Sequence, residues 1–491
     1  MDGAIGWAVA ASKAVAVGSV TVGIFGVLLT CGGAWVLGAI YRSIAPLPPT
    51  ERQLAEERLN EHPLFRHMPL LKGKIAWRQI GVYPTPIHAV NVNVNSDSSI
   101  QFFVKREDLA SVRYGGNKLR TLQHQLAACE AHLERHPSAV FSLIGSYGSN
   151  QAVATKVHAQ SSFDLEPGAL QALTFLPDRP DFDNTLNLLS SLSLGGRVVL
   201  APLAGLRAVG STLWSVSDKV FAPGGHNVTG LLGQIGACLE LAEQIERGEL
   251  PDPDAIYLPY GSGCTTSGLV IGVALARHLG LKAFRRPGFK IVSCVVHHAV
   301  AFLHRNFAAL FWASMPLSIS WSINAVCEYL VEMGVVDLQQ LCHATREQCL
   351  ELVTEPKFVG MYGSHSEKSL PAAQTYDASG TASGAKHNGF EPETSPLWLC
   401  GHFAAKPYAV MEERLRGGEH KGKNVLFWQT KSATQPVAAN LGCEGGVHEE
   451  ARRFDREAFP RLKRWASKGK AFSANRQGSW PGNYRHLMKE I

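Results

Sequence analysis

Seven short apolar runs of β-type composition recur along the chain, at residues 102–105, 139–144, 173–176, 197–200, 255–258, 290–296 and 424–428. Helix-like segments, such as residues 119–134 and 267–279, lie between several of them. Buried strands separated by helices are the pattern of an α/β protein with parallel sheets, because parallel strands need crossover connections that cover both faces. A length of 491 residues allows a large core, or two lobes with appendages. With 45% hydrophobic and 18% charged residues, the chain is not disordered as its main state.

The two ends depart from this pattern. Residues 14–40 carry no charge, and Lys13 and Arg42 bracket them. About 20 apolar residues suffice to cross a bilayer core. Trp35 and Tyr41 sit near one end of the run, where interfacial aromatics are common. The sequence therefore predicts a single-pass membrane anchor within residues 1–45. Arg42, Arg52 and Arg58 after the run outweigh Lys13 before it, which places the following domain on the cytosolic side. At the other end, residues 451–491 hold eleven Lys/Arg against three Asp/Glu, a local balance of +8 in a chain whose total is +6. Residues 436–491 read as a solvated basic extension. Zinc-finger spacing and RNA-binding aromatic motifs are absent, so nucleic acid is not an expected partner. Ten cysteines without a CxxC spacing read as reduced thiols, with no metal site and no disulfide framework. Residues 378–393, rich in Ala, Ser, Thr and Gly, read as a surface insertion.

Three turns carry the chemistry. After the run at 102–105, a pair of glycines (Gly115, Gly116) precedes Asn117 and Lys118 at the start of a helical segment. A lysine there, its amine pKa lowered by burial, can attack an aldehyde. After 139–144 come Ser149, Asn150 and Gln151, whose hydroxyl and amides sit at a helix start and suit a carboxylate. After 255–258 the chain reads Gly261, Ser262, Gly263, Cys264, Thr265, Thr266, a turn able to wrap a phosphate. It lacks the GK[ST] ending of a nucleotide loop, so a triphosphate with magnesium is not indicated.

Taken together, these segments resemble the fold-type-II (tryptophan synthase β-like) pyridoxal-phosphate enzymes, and most of all the branch of 1-aminocyclopropane-1-carboxylate deaminase and D-cysteine desulfhydrase. The resemblance runs from the segment at Tyr83 and Pro84 to Thr430. Its motifs come in order: KREDL from Lys105, GGNKLR from Gly115, GSYGSNQ from Gly145, Asn187 with two leucines, GSGCTTSGL from Gly261, YGSHSE from Tyr362, and VLFWQT from Val425. It implies a two-lobed α/β fold of open twisted parallel sheets. The catalytic domain would span residues 60–435, with a smaller lobe at about 120–232 inserted in the larger.

The resemblance implies further that Lys118 holds pyridoxal 5'-phosphate as a Schiff base and later shuttles the α-proton. Asn117 would lie near the ring. Ser262, Gly263, Cys264 and Thr265 would cradle the phosphate, and Thr430 would close the pocket near the pyridine edge. Ser149, Asn150 and Gln151 would hold the substrate carboxylate, with Ser149 assisting proton transfer, and Tyr362 would face the substrate. The implied activity is a lyase or deaminase acting on a small amino acid: β-elimination of a D-cysteine-like substrate to a keto acid and ammonia. The alternatives are 1-aminocyclopropane-1-carboxylate deamination, or a catalytically weakened, membrane-tethered protein that binds the cofactor. A homodimer is implied by the resemblance alone. Two positions depart from the family: Phe403 stands where a tyrosine is expected, and Ala404 where a group near the pyridine nitrogen is expected. Tyr408 is the nearest phenol that could replace the missing one.

Overall fold

A computed structural model describes residues 43–432, apart from 97, 147, 164, 175–181, 196–197, 201–218, 299, 302–317, 361–363, 388–390 and 392–396, together with Arg464. Eleven strands among these residues form two sheets. They are β1 (Ile87–Asn95), β2 (Ser98–Arg106), β3 (Phe141–Gly145), β4 (Leu170–Thr174), β5 (Val198–Leu200), β6 (Lys219–Phe221), β7 (Ala255–Tyr260), β8 (Lys290–Val295), β9 (Leu350–Val353), β10 (Gly380–Gly384) and β11 (Val425–Gln429). The larger sheet has the order β10-β1-β2-β11-β7-β8-β9, and the smaller β5-β4-β3-β6.

The smaller sheet is wholly parallel. The larger one is mixed, because β1 runs antiparallel to both β2 and β10. The expected parallel sheets are thus corrected at one edge, where β1 makes two antiparallel pairings. In β1, valine alternates with asparagine, a period-2 pattern that the search for continuous apolar runs passes over. The expected insertion at 378–393 is also corrected in part: Gly380–Gly384 is edge strand β10, paired with His88 to Val92 of β1. Its composition gave no strand signal because main-chain hydrogen bonds to β1, the buried Ala382 and a bond from the Thr381 hydroxyl to the Asn91 carbonyl at 3.4 Å hold it there.

The expected membrane span at 14–40 lies outside the described residues. Among the described residues no helix is long and apolar enough to cross a membrane. The anchor, the membrane partner and the placement relative to a bilayer are accordingly withdrawn from the account of the fold. The extension at 436–491 lies outside the described residues apart from Arg464.

Helices flank both sheets. Two of them bury nearly all of their residues: Cys264–His278 packs on β7 and β8, and Val228–Glu246 packs on Cys264–His278 and on the helix Lys118–Leu133. Parallel strands β2, β11 and β7 lie side by side, so the loops leaving their C-terminal ends converge. Those ends are where open α/β sheets bind ligands.

Candidate active site

Lys118 opens the helix Lys118–Leu133. The turn before it is held against the end of β11: Asn117 donates its backbone N–H to the Thr430 carbonyl at 3.1 Å, and Gly116 bridges to Lys431. Gly116 has φ +125°, and a Cβ there would sit 2.6 Å from the Thr430 oxygen, so only glycine brings the two segments this close.

A buried ionic cluster fixes the direction in which the helix leaves. The Arg120 guanidinium donates to Glu107 at 2.8 and 2.9 Å and to both carboxylate oxygens of Glu240 at 2.7 Å. Lys105 Nζ lies 2.6 Å from Glu240, and the Tyr83 ring stacks 3.9 Å from the Arg120 guanidinium. The KREDL and GGNKLR motifs are thus one clamp, tied to the Val228–Glu246 helix. Burial alone would raise the Glu240 carboxyl, but Arg120 and Lys105 overcome it and hold it well below the usual carboxylate range.

Lys118 Nζ is buried and donates to the Gly224 carbonyl at 2.9 Å. Burial lowers its pKa from the ordinary lysine value, which raises the fraction of neutral, nucleophilic amine. It lines a cleft with Tyr114, Asn117, Asn150, Ser262, Gly263, Cys264, Thr265, Phe403, Thr430 and Lys431.

Opposite Lys118, Gly263 caps the helix Cys264–His278, whose first N–H groups face the cleft region. Asn117 Nδ2 donates to Thr265 Oγ1 at 2.7 Å and links this turn to the lysine turn. Burial pushes the Cys264 thiol up to about 12, so it stays neutral. Thr430 Oγ1 is buried and has no hydrogen-bond partner among the described residues.

The turn of Ser149, Asn150 and Gln151 divides. Asn150 lines the cleft, whereas Ser149 and Gln151 do not. Ser149 is the N-cap of Asn150–Ser162 and accepts from the Ala152 N–H at 3.3 Å. Gln151 Nε2 donates to Thr155 Oγ1 at 3.3 Å within the same helix. Tyr362 lies outside the described residues.

Phe403 lines the cleft and stacks on His402 with ring centroids 4.1 Å apart. Ala404 is buried at the N-cap of Ala405–Arg416 and is not part of the lining. Tyr408 supplies no phenol here: its ring packs in the core against Tyr376 at 4.9 Å and Phe427 at 5.7 Å.

Sequence reasoning missed the turn of Gly224, Gly225 and His226, which packs behind Lys118 and Ser262. His226 Nδ1 donates to the Ser262 carbonyl, and its Nε2 lies 2.5 Å from Ser322 Oγ. Burial, aided by the Lys118 charge, pulls the imidazole down to about 4, so it is neutral. The signal was a Pro-Gly-Gly turn at 223–225 directly after β6 and before the Asn227 helix cap, the same strand–turn–helix arrangement as the other three loops.

A family profile described as "Pyridoxal-phosphate dependent enzyme" matches residues 79–347. A bifunctional D-cysteine desulfhydrase/1-aminocyclopropane-1-carboxylate deaminase, mitochondrial, of Arabidopsis thaliana is 28% identical over 203 residues, which is 38% of this chain and 49% of the relative. A nocardicin C-9' epimerase of Nocardia uniformis is 30% identical over 208 residues, 39% of this chain and 58% of the relative. The matches thus span about half of these relatives' lengths. The crystal structure of an ACC deaminase homologue superposes with a TM-score of 0.50 at 19% identity, over 76% of this chain and 95% of its own, a likeness of fold.

Proposed function

The chain belongs to the family of pyridoxal-phosphate dependent enzymes, and on that premise we propose that it is a lyase or deaminase acting on a small amino acid. The reaction we favour is β-elimination from a D-cysteine-like substrate to a keto acid and ammonia. Deamination of 1-aminocyclopropane-1-carboxylate is the variant on the same site, and a homodimeric assembly belongs to the same proposal. The observation that carries it is the buried Lys118 amine facing a helix N-terminal turn across one cleft.

The residues present fit the cofactor. Lys118 would hold it through its amine, Ser262 to Thr265 would take the phosphate on backbone N–H and hydroxyl donors, and the unpartnered Thr430 hydroxyl would meet the pyridine edge. When bound, the cofactor draws electrons from the substrate's α-carbon and makes its proton acidic. Lys118 Nζ is then the base in reach, because burial already favours its neutral form. Asn150 would orient the substrate carboxylate. Ser149 and Gln151 supply the capped helix start behind it, and Ser149, Gln151 and Tyr362 stay in the proposal as substrate-side residues.

Two substitutions test the cradle. Gly224 has φ +67°, and a Cβ there would lie 2.3 Å from Ser262 Oγ and 3.5 Å from Lys118 Nζ. Gly224→Ala is expected to weaken cofactor binding by on the order of tenfold or more, since left-handed strain of about 1–3 kcal/mol adds to the collision. Titrating apo-protein with pyridoxal phosphate measures it. Thr430→Val is expected to lower kcat by roughly tenfold with KM and thermal stability nearly unchanged, because it removes a hydroxyl that no described residue satisfies.

Phe403 favours a second reading, a cofactor-binding protein of weakened activity, because its ring offers no proton where the family carries a phenol. A spectral screen of D- and L-amino acids with detection of keto acid and ammonia separates the two. Product from any of them supports the lyase. A cofactor band that none of them perturbs supports the second reading.

A further inference from the structure

Lys431 follows Thr430 at the end of β11, is 4% exposed, and lines the cleft. Among the described lining residues it is the second amine beside Lys118, and those residues include no Asp or Glu. Its Nζ donates to Asn187 Oδ1 at 3.2 Å and lies 5.5 Å from the centre of the Trp398 ring.

The hydrogen bonds beyond it have a fixed direction. An ammonium group can only donate, so the Asn187 atom facing Lys431 must be the carbonyl oxygen. That turns Asn187 Nδ2 the other way, where it donates to Asn150 Oδ1 at 2.7 Å and to the Gly148 carbonyl at 3.0 Å. Asn150 Oδ1 also accepts from the Tyr114 hydroxyl at 3.2 Å. Both acceptor positions of the Asn150 oxygen are therefore used. Its Nδ2, which has no hydrogen-bond partner among the described residues, is left as a donor on the cleft side. Turning Asn150 over would set its NH2 group against the Asn187 NH2 group, and turning Asn187 over would set one against an ammonium.

We propose that Lys431 is a positioning residue for the substrate's carboxylate: through Asn187 it locks the Asn150 amide with its N–H groups toward the cleft, and it adds positive charge to that side of the site. The relay joins three segments, the end of β11, the helix Phe182–Ser193 and the start of Asn150–Ser162. It rests on the reading that Asn150 meets a substrate carboxylate, and it narrows the substrate class to amino acids that keep that carboxylate free.

The test uses the full-length holoenzyme, with D-cysteine and its decarboxylated counterpart cysteamine as probes and the cofactor spectrum as readout. The wild type is expected to bind D-cysteine more tightly. Lys431→Met is expected to weaken D-cysteine binding by about 10–100-fold, the range for losing a charge-assisted hydrogen bond, and to leave cysteamine within about twofold, where no carboxylate is present to lose that bond. The loss should appear in KM far more than in kcat, and Lys431→Arg should recover much of it. Asn187→Asp keeps the lysine partner but removes the donor that holds Asn150, so it should produce the same selective loss with Lys431 intact. That variant and Lys431→Arg decide the matter if Lys431→Met does not fold. Equal weakening of both probes, or no change in either, overturns the relay while the wild-type response to D-cysteine upholds the lyase reading. A wild-type spectrum that neither probe perturbs contradicts the lyase reading itself, and the relay falls with it.

Discussion

Lys118→Ala is expected to abolish the cofactor's lysine-linked absorbance in the purified protein and to lower turnover by at least about 10³-fold, since one substitution removes both the attachment point and the base. The variant should fold. Lys118 is the first residue of its helix, its amine has one described hydrogen bond, to Gly224, and desolvation disfavours its charged form. Replacing it therefore deletes no ion pair. Pyridoxal phosphate can still reach the 262–265 turn, so residual phosphate-held cofactor is expected without the lysine-linked band. Loss of activity together with a lowered melting temperature would point instead to a structural role.

Glu240→Ala is the second large effect, and it acts on stability. Glu240 is buried beside Arg120 and Lys105, both of them also buried. Removing the carboxylate leaves two cations facing only Glu107, and breaking a buried pair in this way costs roughly 3–5 kcal/mol. Urea unfolding is expected to shift by that amount, and cofactor affinity should fall as well, because Arg120 lies on the same helical turn as Lys118. The pH dependence follows from the sign of the shift. The Glu240 carboxyl is depressed in the folded state, so it binds a proton more readily in the unfolded chain. Its contribution is complete above the ordinary carboxylate value of 4.5 and is lost as pH falls below it. Wild type should lose stability on acidification more steeply than the alanine variant.

How much of this was legible depended on where each residue stands in the chain. Lys118, Asn150 and the 262–265 turn each follow an apolar β run, and in an α/β fold the C-terminal ends of strands gather at one edge, so short-range pattern marked these turns as candidates. Thr430 entered through the resemblance alone. Ser149 and Gln151 share the Asn150 turn, but only geometry reveals that the first caps its helix and the second bonds within it. Lys431, Asn187 and Gly224 enter the account through contacts spanning 37 to 244 positions, which no local spacing encodes. Tyr408 was the reverse case. Its proximity in sequence to Phe403 suggested a substitute phenol, but the helix Ala405–Arg416 turns that residue into the core. At the N-terminus, a one-dimensional hydropathy reading had no packing to test it against.

The claim on which the rest depends is that Lys118, among all the lysines, carries the cofactor. Borohydride reduction of the holo-protein, followed by proteolysis and mass spectrometry, fixes the cofactor to whichever lysine holds it. A pyridoxyl-phosphate adduct on the peptide containing Lys118 is the result expected from the buried amine, its Gly224 contact and the facing turn. An adduct on Lys431, Lys406 or Lys156, or a fully loaded protein that yields no lysine adduct, would contradict it.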